Sequence, residues 1–86
     1  MKTFPLVISS PDGDLLREQV VRINLRGVEG DLAVMAGHIP FITAVQPCDC
    51  SVEFEDGQEK KGHTDGGILN VSGESVTLLS GSFKWI

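Results

Sequence analysis

The chain has 86 residues, 41% of them apolar, and carries seven Lys and Arg against twelve Asp and Glu for a formal net charge of −5. That length fits one domain, residues 1–86, built around one small core. The acidic balance and the lack of Tyr exclude a nucleic-acid binder, which needs cations to displace counterions and aromatic faces on which bases stack.

The opening Met1-Lys2-Thr3-Phe4-Pro5 has no apolar stretch of the kind that starts a secretion signal. No apolar run approaches the roughly 20 residues that cross a bilayer, so no direct membrane insertion is expected. Cys48 and Cys50 are too few and too close for a secreted disulfide framework, and a soluble chain in a reducing compartment is expected.

Leu6 and Ile8 begin a weak alternation that stops at Pro11-Asp12-Gly13, where Pro and Gly are placed for a tight turn. Val21, Ile23 and Leu25 alternate with Arg22 and Asn24, the period of a half-buried strand. Leu32 and Val34 give a weaker case, and Phe41 to Val45 reads as a more buried run. Val52 and Phe54 alternate with Ser51, Glu53 and Glu55, and Asp56-Gly57 follows as a hairpin signal. Gln58 to Thr64 is polar on both faces and predicts a solvated edge strand, with Lys60-Lys61 guarding it against strand addition. After Ser72-Gly73-Glu74, Val76 and Leu78 alternate with Ser75 and Thr77. Nowhere do apolar residues recur at helical spacing over three turns. Successive short strands without helices predict an all-β fold, an antiparallel sandwich or flattened barrel.

A two-residue turn at Asp56-Gly57 would set Glu53 opposite Lys60, His63 opposite Cys50 and Asp65 opposite Cys48. Cys48, Cys50, His63 and Asp65 would then share one face, and two thiolates, an imidazole and a carboxylate form a possible zinc set. The other reading makes Cys48 and Cys50 small core residues beside Val52 and Phe54. A lone C-x-C lacks the spacing of zinc ribbons and knuckles, and a one-residue change of register dissolves the cluster. Nothing points to catalysis. No serine lies in G-x-S-x-G, and His38 and His63 are far apart in sequence. Gly27-Val28-Glu29-Gly30 and Gly66-Gly67 lack the Lys-Ser/Thr or following helix of a phosphate loop. No catalytic residue and no cofactor are expected.

One segment departs from this plain pattern. Gly27 to Pro47 reads as a glycine-bounded acidic turn, a short strand, a second turn at Ala36-Gly37-His38 and an apolar run. Glu29, Asp31 and His38 are thereby lifted onto loop tips, where small β scaffolds make contacts with other proteins.

The segment closely resembles the epsilon subunit of F-type ATP synthases, called delta in mitochondria, whose pattern runs G-x-E-G-E-L-G-V-x-P-G-H-A-P-L-x-T-x-L-x-P-G. Gly27, Glu29, Gly30, Leu32, Val34, Gly37, His38, Pro40, Thr43 and Pro47 match it, and Asp31 is a same-charge variant. Phe4 to Gly13, Asp56-Gly57, Gly66-Gly67-Ile68-Leu69-Asn70-Val71 and Val76-Thr77-Leu78-Leu79 extend the likeness over most of the chain. Ala36 stands where the family has proline, and Ala33 and Cys48 where it has glycine.

The resemblance implies a ten-stranded β-sandwich acting as a noncatalytic central-stalk subunit, between the gamma subunit and the c-ring, that couples ion-driven rotation to ATP synthesis. By motif position, Glu29 and Asp31 become the c-ring candidates, and Ser10, His38 and Thr43 the gamma-facing ones. It also implies a place on the cytoplasmic side of an energy-transducing membrane, such as a bacterial plasma membrane, held there by the complex. The family's C-terminal helical hairpin has no counterpart up to Ile86, so neither inhibition of hydrolysis nor ATP sensing is expected. Phe83 and Trp85 are expected to cover apolar surface that the hairpin otherwise shields. A metal- or ligand-binding domain using Cys48, Cys50 and His63 is the alternative function.

Overall fold

A computed structural model describes residues 2–28, 30–37 and 39–86. Ten strands follow one another: β1 (Phe4–Ser10), β2 (Gly13–Val20), β3 (Arg22–Gly27), β4 (Gly30–Met35), β5 (Phe41–Val45), β6 (Cys48–Glu53), β7 (Glu59–Thr64), β8 (Gly67–Val71), β9 (Val76–Ser80) and β10 (Phe83–Trp85). No helix occurs among the described residues. The alternation of small apolar and polar residues therefore does specify an all-β fold, as its period requires.

Five strands run in the order β4-β3-β6-β7-β10 and five in the order β5-β8-β9-β1-β2. The two layers join where Gly27 pairs with Val45. Between them lie Phe4, Leu6, Ile8, Leu16, Ile23, Leu25, Val34, Val52, Leu69, Val71, Val76 and Leu78, all buried. Their inward positions recur every second residue, so each strand offers one apolar row to the space between the sheets. The pairing is antiparallel except for β1 and β9, which run parallel with Leu6 against Val76 and Ile8 against Leu78.

The hairpin at Asp56-Gly57 differs from expectation by one residue. The Gly57 N–H donates to the Phe54 carbonyl (3.0 Å), and the Phe54 N–H to the Gln58 carbonyl (2.8 Å). Gly57 has φ +87°. This is a three-residue loop in which glycine forms the bulge, rather than a two-residue turn. Glu53 therefore faces Glu59, Val52 faces Lys60, Cys50 faces Gly62 and Asp49 faces His63.

Two other expectations are corrected. The strand containing Lys60-Lys61 is not an edge, because β10 pairs with it through Phe83↔Thr64, Lys84↔His63 and Trp85↔Gly62. Gly62 and Thr64 of that strand are buried. The run Phe41 to Val45 is mostly exposed, and only Val45 is buried. Its Ile42 and Ala44 point away from the core.

At the end of the sandwich, the β7–β8 corner is clasped to the β9–β10 corner. Buried Thr64 and Ser80 share a hydroxyl–hydroxyl hydrogen bond of 2.6 Å, and the Ser80 hydroxyl donates to the Ser82 carbonyl at 2.7 Å. The Asp65 carboxylate accepts from the Ser82 N–H at 2.8 Å, and the Asp65 N–H donates back to the Ser82 carbonyl. These bonds satisfy the buried hydroxyls of Thr64 and Ser80.

Candidate functional site

The outward faces of the two sheets have opposite chemistry. On β3, β4, β6 and β7 the outward positions carry charges that pair across strands. Arg22 binds Glu53 (3.1 Å), Arg26 binds Asp31 (2.8 Å), and His63 Nδ1 lies 2.8 Å from Asp49. Between these pairs, Asn24 donates to the Ser51 hydroxyl at 3.2 Å.

The other sheet turns an apolar row outward. Ala44 is opposite Ile68, and Ile68 is opposite Leu79. Ile42 flanks the row on β5, opposite Asn70. Directly opposed side chains on adjacent strands lie about 5 Å apart, so these residues touch along a line across three strands. Ile42 is 69% exposed, Leu79 51% and Ile68 43%. The row continues into an open groove over β9, β1 and β2, lined by Val7, Ser9, Asp14, Arg17, Thr77 and Leu79. At its far wall Arg17 binds Asp14 (2.6 Å), and that hydrogen bond, with one from Ser9, holds the Asp14 carboxyl below its ordinary value.

Of the gamma-facing candidates, Ser10 and Thr43 lie near this row. Ser10 ends β1, where its hydroxyl accepts from the Asp12 N–H (3.2 Å) and donates to the Gly13 carbonyl (3.3 Å). It lines a shallow cleft together with Leu79. Thr43 lies in β5 between Ile42 and Ala44, but in the inward row opposite Leu69, and is half-buried. His38 and Glu29 lie outside the described residues.

Asp31, the remaining c-ring candidate, sits opposite Arg26 near the tip of the β3–β4 hairpin. Its hydrogen bond is the main reason the Arg26 guanidinium is raised above its ordinary value. Gly30 next to it has φ +128°, a conformation L side chains avoid, so the acidic tip depends on glycine at that position.

Cys48, Cys50, His63 and Asp65 do not come together. Cys50 is buried, with its thiol pushed up to about 12, first by burial and then by the neighbouring Cys48 and Asp49 charges. Cys48 is half-buried, and its sulfur accepts from the Arg26 N–H at 3.4 Å. His63 projects from the opposite face to reach Asp49, and Asp65 is engaged with Ser82. The one-residue register difference puts the imidazole and the thiols on opposite sides of the sheet. Among the described residues no three potential metal ligands converge.

The exposed residues Ile42, Ile68 and Leu79 are the part of the site that motif reading missed. A signal was present: Ile68-Leu69 and Leu78-Leu79 are adjacent apolar pairs, and a period of two forces one member of each pair outward.

A sequence profile described as the ATP synthase delta/epsilon chain, beta-sandwich domain, matches residues 3–86. The ATP synthase epsilon chain of Clostridium perfringens is 29% identical over 85 residues, covering 99% of this chain and 64% of that protein. The chain thus spans less than two thirds of the length of such relatives. A chain of the Euglena gracilis mitochondrial ATP synthase, solved with OSCP, F1 and c-ring, superposes with a TM-score of 0.92 at 26% identity, covering 96% of this chain and 53% of that one. A chain of the Tetrahymena thermophila mitochondrial central stalk and c-ring assembly shares the fold, with a TM-score of 0.81 at 13% identity over 95% of this chain and 66% of its own. With a ten-stranded sandwich in place and the profile matched across nearly its whole length, the chain belongs to the ATP synthase delta/epsilon family, as its β-sandwich domain.

Proposed function

We propose that residues 1–86 act as a noncatalytic central-stalk subunit of an F-type ATP synthase, packing against the gamma subunit and resting on the c-ring. In this role the sandwich is a rigid coupling piece. It transmits torque from the ring to the stalk and supplies no group to the chemistry. The observation that carries the reading is the outward apolar row Ala44, Ile68 and Leu79 with Ile42 beside it, set against an opposite face dominated by paired charges. An apolar row of this kind on so small a domain marks a protein-facing surface.

The gamma subunit takes the apolar row, with Ser10 and Thr43 at its margins and His38 assigned with them by motif position. The c-ring takes the acidic β3–β4 tip through Asp31 and Glu29. Asp31 is already held by Arg26, so a basic group on the ring binds it by sharing the carboxylate. The complex keeps the chain at the cytoplasmic side of an energy-transducing membrane. No helix among the described residues is long and apolar enough to cross one.

The test mixes the purified chain with the gamma subunit of its source organism and follows gel filtration. Stoichiometric co-elution supports the stalk reading. A well-folded gamma subunit that elutes alone overturns it.

A further inference from the structure

Among the described residues, one layer ends in the edge strands β4 and β10 and the other in β2, while β5 at its remaining end is joined to β3. Such edges invite pairing with other chains unless something blunts them. β2 is blunted by a bulge, where Ile8 faces Leu16 but Ser9 faces Asp14, and by the charges of Asp14, Arg17 and Glu18. β10 is three residues long, with Lys84 at its centre. β4 has neither device. Its six residues run in unbroken register from Gly27↔Gly30 to Arg22↔Met35 and include no Lys, Arg or Pro. The one charge on it, Asp31, is bound to Arg26.

The register fixes which groups of β4 are open. The Arg26 N–H donates to Cys48 Sγ at 3.4 Å, and the Arg26 carbonyl accepts from the Gln46 N–H at 3.2 Å. Both groups point away from β4, so Arg26↔Asp31 is a pair without mutual backbone hydrogen bonds, and so is Asn24↔Ala33 two residues on. Leu32 and Val34 therefore bond β3, whereas the N–H and C=O of Asp31 and Ala33 face the open side. Among the described residues no other strand pairs with β4 there. Ala33 is exposed and carries only a methyl, so nothing bulky shields the edge, and Leu32 on the inward side is only half-buried.

We propose that β4 accepts an added strand: an extended segment of the gamma subunit pairs with Asp31 and Ala33 and continues the sheet past its edge. The inference rests on the stalk reading. A row of alternating backbone donors and acceptors selects an extended chain over a helix, and apolar residues at alternate positions of that segment close over Leu32. The occupant is gamma because the edge is continuous with the apolar row. Only β3 separates β4 from β5, since Gly27 pairs with Gly30 on one side and with Val45 on the other, and the row starts on β5 at Ala44 beside Ile42. A partner seated on the row thus reaches the β4 edge around one side of the sandwich. The Asp31 carboxylate projects from the outward face toward Arg26, out of the line of the added strand, and stays available to the ring.

The test is residue-resolved amide hydrogen exchange, by NMR, of the isotope-labelled chain alone and in complex with the gamma subunit. Leu32 and Val34 should be protected in both states, and Asp31 and Ala33 should exchange at least tenfold more slowly in the complex alone. Ala33→Pro removes the outward N–H without breaking a bond to β3, a position where an edge strand tolerates proline. Its affinity for gamma should fall at least tenfold, whereas Ala33→Ser, which keeps the N–H, should bind as the parent does. Unchanged exchange at Asp31 and Ala33 in the complex overturns the inference, and so does a folded Ala33→Pro chain that binds gamma with full affinity. Protection of Ala33 that rises with the concentration of the free chain overturns it too, because a second copy then fills the edge. The exchange measurement needs no variant and decides the matter if Ala33→Pro fails to fold. A gamma subunit that elutes apart from the chain overturns the stalk reading itself, and this is seen before any exchange is measured.

Discussion

The ring of Phe83 occupies the space that a side chain on Gly62 would need. Gly62 lies on β7 and Phe83 on β10, two residue pairs away in the ladder, and a Cβ built at Gly62 overlaps the Phe83 ring edge. Glycine at this position is a matter of packing, since Gly62 is not among the glycines with positive φ. Gly62→Ala is expected to destabilise the domain by about 1–3 kcal/mol through overpacking. Adding Phe83→Leu should recover part of that loss, a coupling readable in the urea midpoints of the two single variants and the double one.

Cys50 makes stability depend on alkaline pH. Its thiol ionises at about 12 in the fold, against 9.0 for the unperturbed group. As pH rises, the unfolded chain loses that proton first, so the contribution is complete below pH 9 and declines between pH 9 and 12. The chemical-denaturation midpoint should fall over that interval, less steeply in Cys50→Ala. At neutral pH a thiol reagent should modify half-buried Cys48 readily and Cys50 only on unfolding, since the thiolate is the reactive form. Equal rates at the two cysteines would contradict the buried placement.

The Thr64 hydroxyl accepts from the Gly66 N–H at 3.1 Å and bonds the Ser80 hydroxyl inside the corner clasp. Thr64→Val keeps the shape and leaves that N–H without its partner, which should cost about 1–3 kcal/mol. Thr64→Ser retains the hydroxyl and should cost less. Thermal unfolding of the two variants separates the lost bond from the lost methyl.

Leu79→Glu and Ile68→Glu place a charge on the apolar row without touching the core. Surface changes of this kind usually alter stability by no more than about 0.5 kcal/mol. Affinity for the gamma subunit should fall about 30-fold or more at either position, the scale of a central interface residue. A neutral exposed control on the opposite sheet, Ala33→Ser, should leave it unchanged. Titration calorimetry reads all three.

The sequence carries the fold through its period-two alternation, and Leu6/Ile8, Ile23/Leu25 and Val76/Leu78 are buried as that alternation requires. Where it misleads, the cause is local. Asp56-Gly57 supports both a two- and a three-residue hairpin loop, and the choice shifts every pair from Cys48 to Thr64 by one. The edge position assigned to the lysine-bearing strand ignores β10, whose three residues are too short to show a period. The apolar run at Phe41–Val45 looks like core because composition alone cannot tell an inward apolar residue from one on the outer face of a strand. Of the residues assigned by motif, Asp31 and Ser10 sit at accessible turns, whereas Thr43 faces inward. That Ile68 and Leu79 line up with Ala44 in one row, beside Ile42, emerges only once cross-strand register is known.

The parallel pairing of β1 with β9 has a kinetic consequence. Leu6 meets Val76 across almost the whole sequence, while β2 can close on β1 through the short Pro11-Asp12 turn as soon as both are made. During synthesis the first hairpin therefore waits with one edge unpaired until the last fifth of the chain arrives. Closing so long a loop before its contacts are rewarded slows folding toward the millisecond-to-second range typical of nonlocal β topologies. Chains stopped before Val76 would keep Phe4, Leu6 and Ile8 on an open strand, the state most prone to pairing with a neighbour of its own kind.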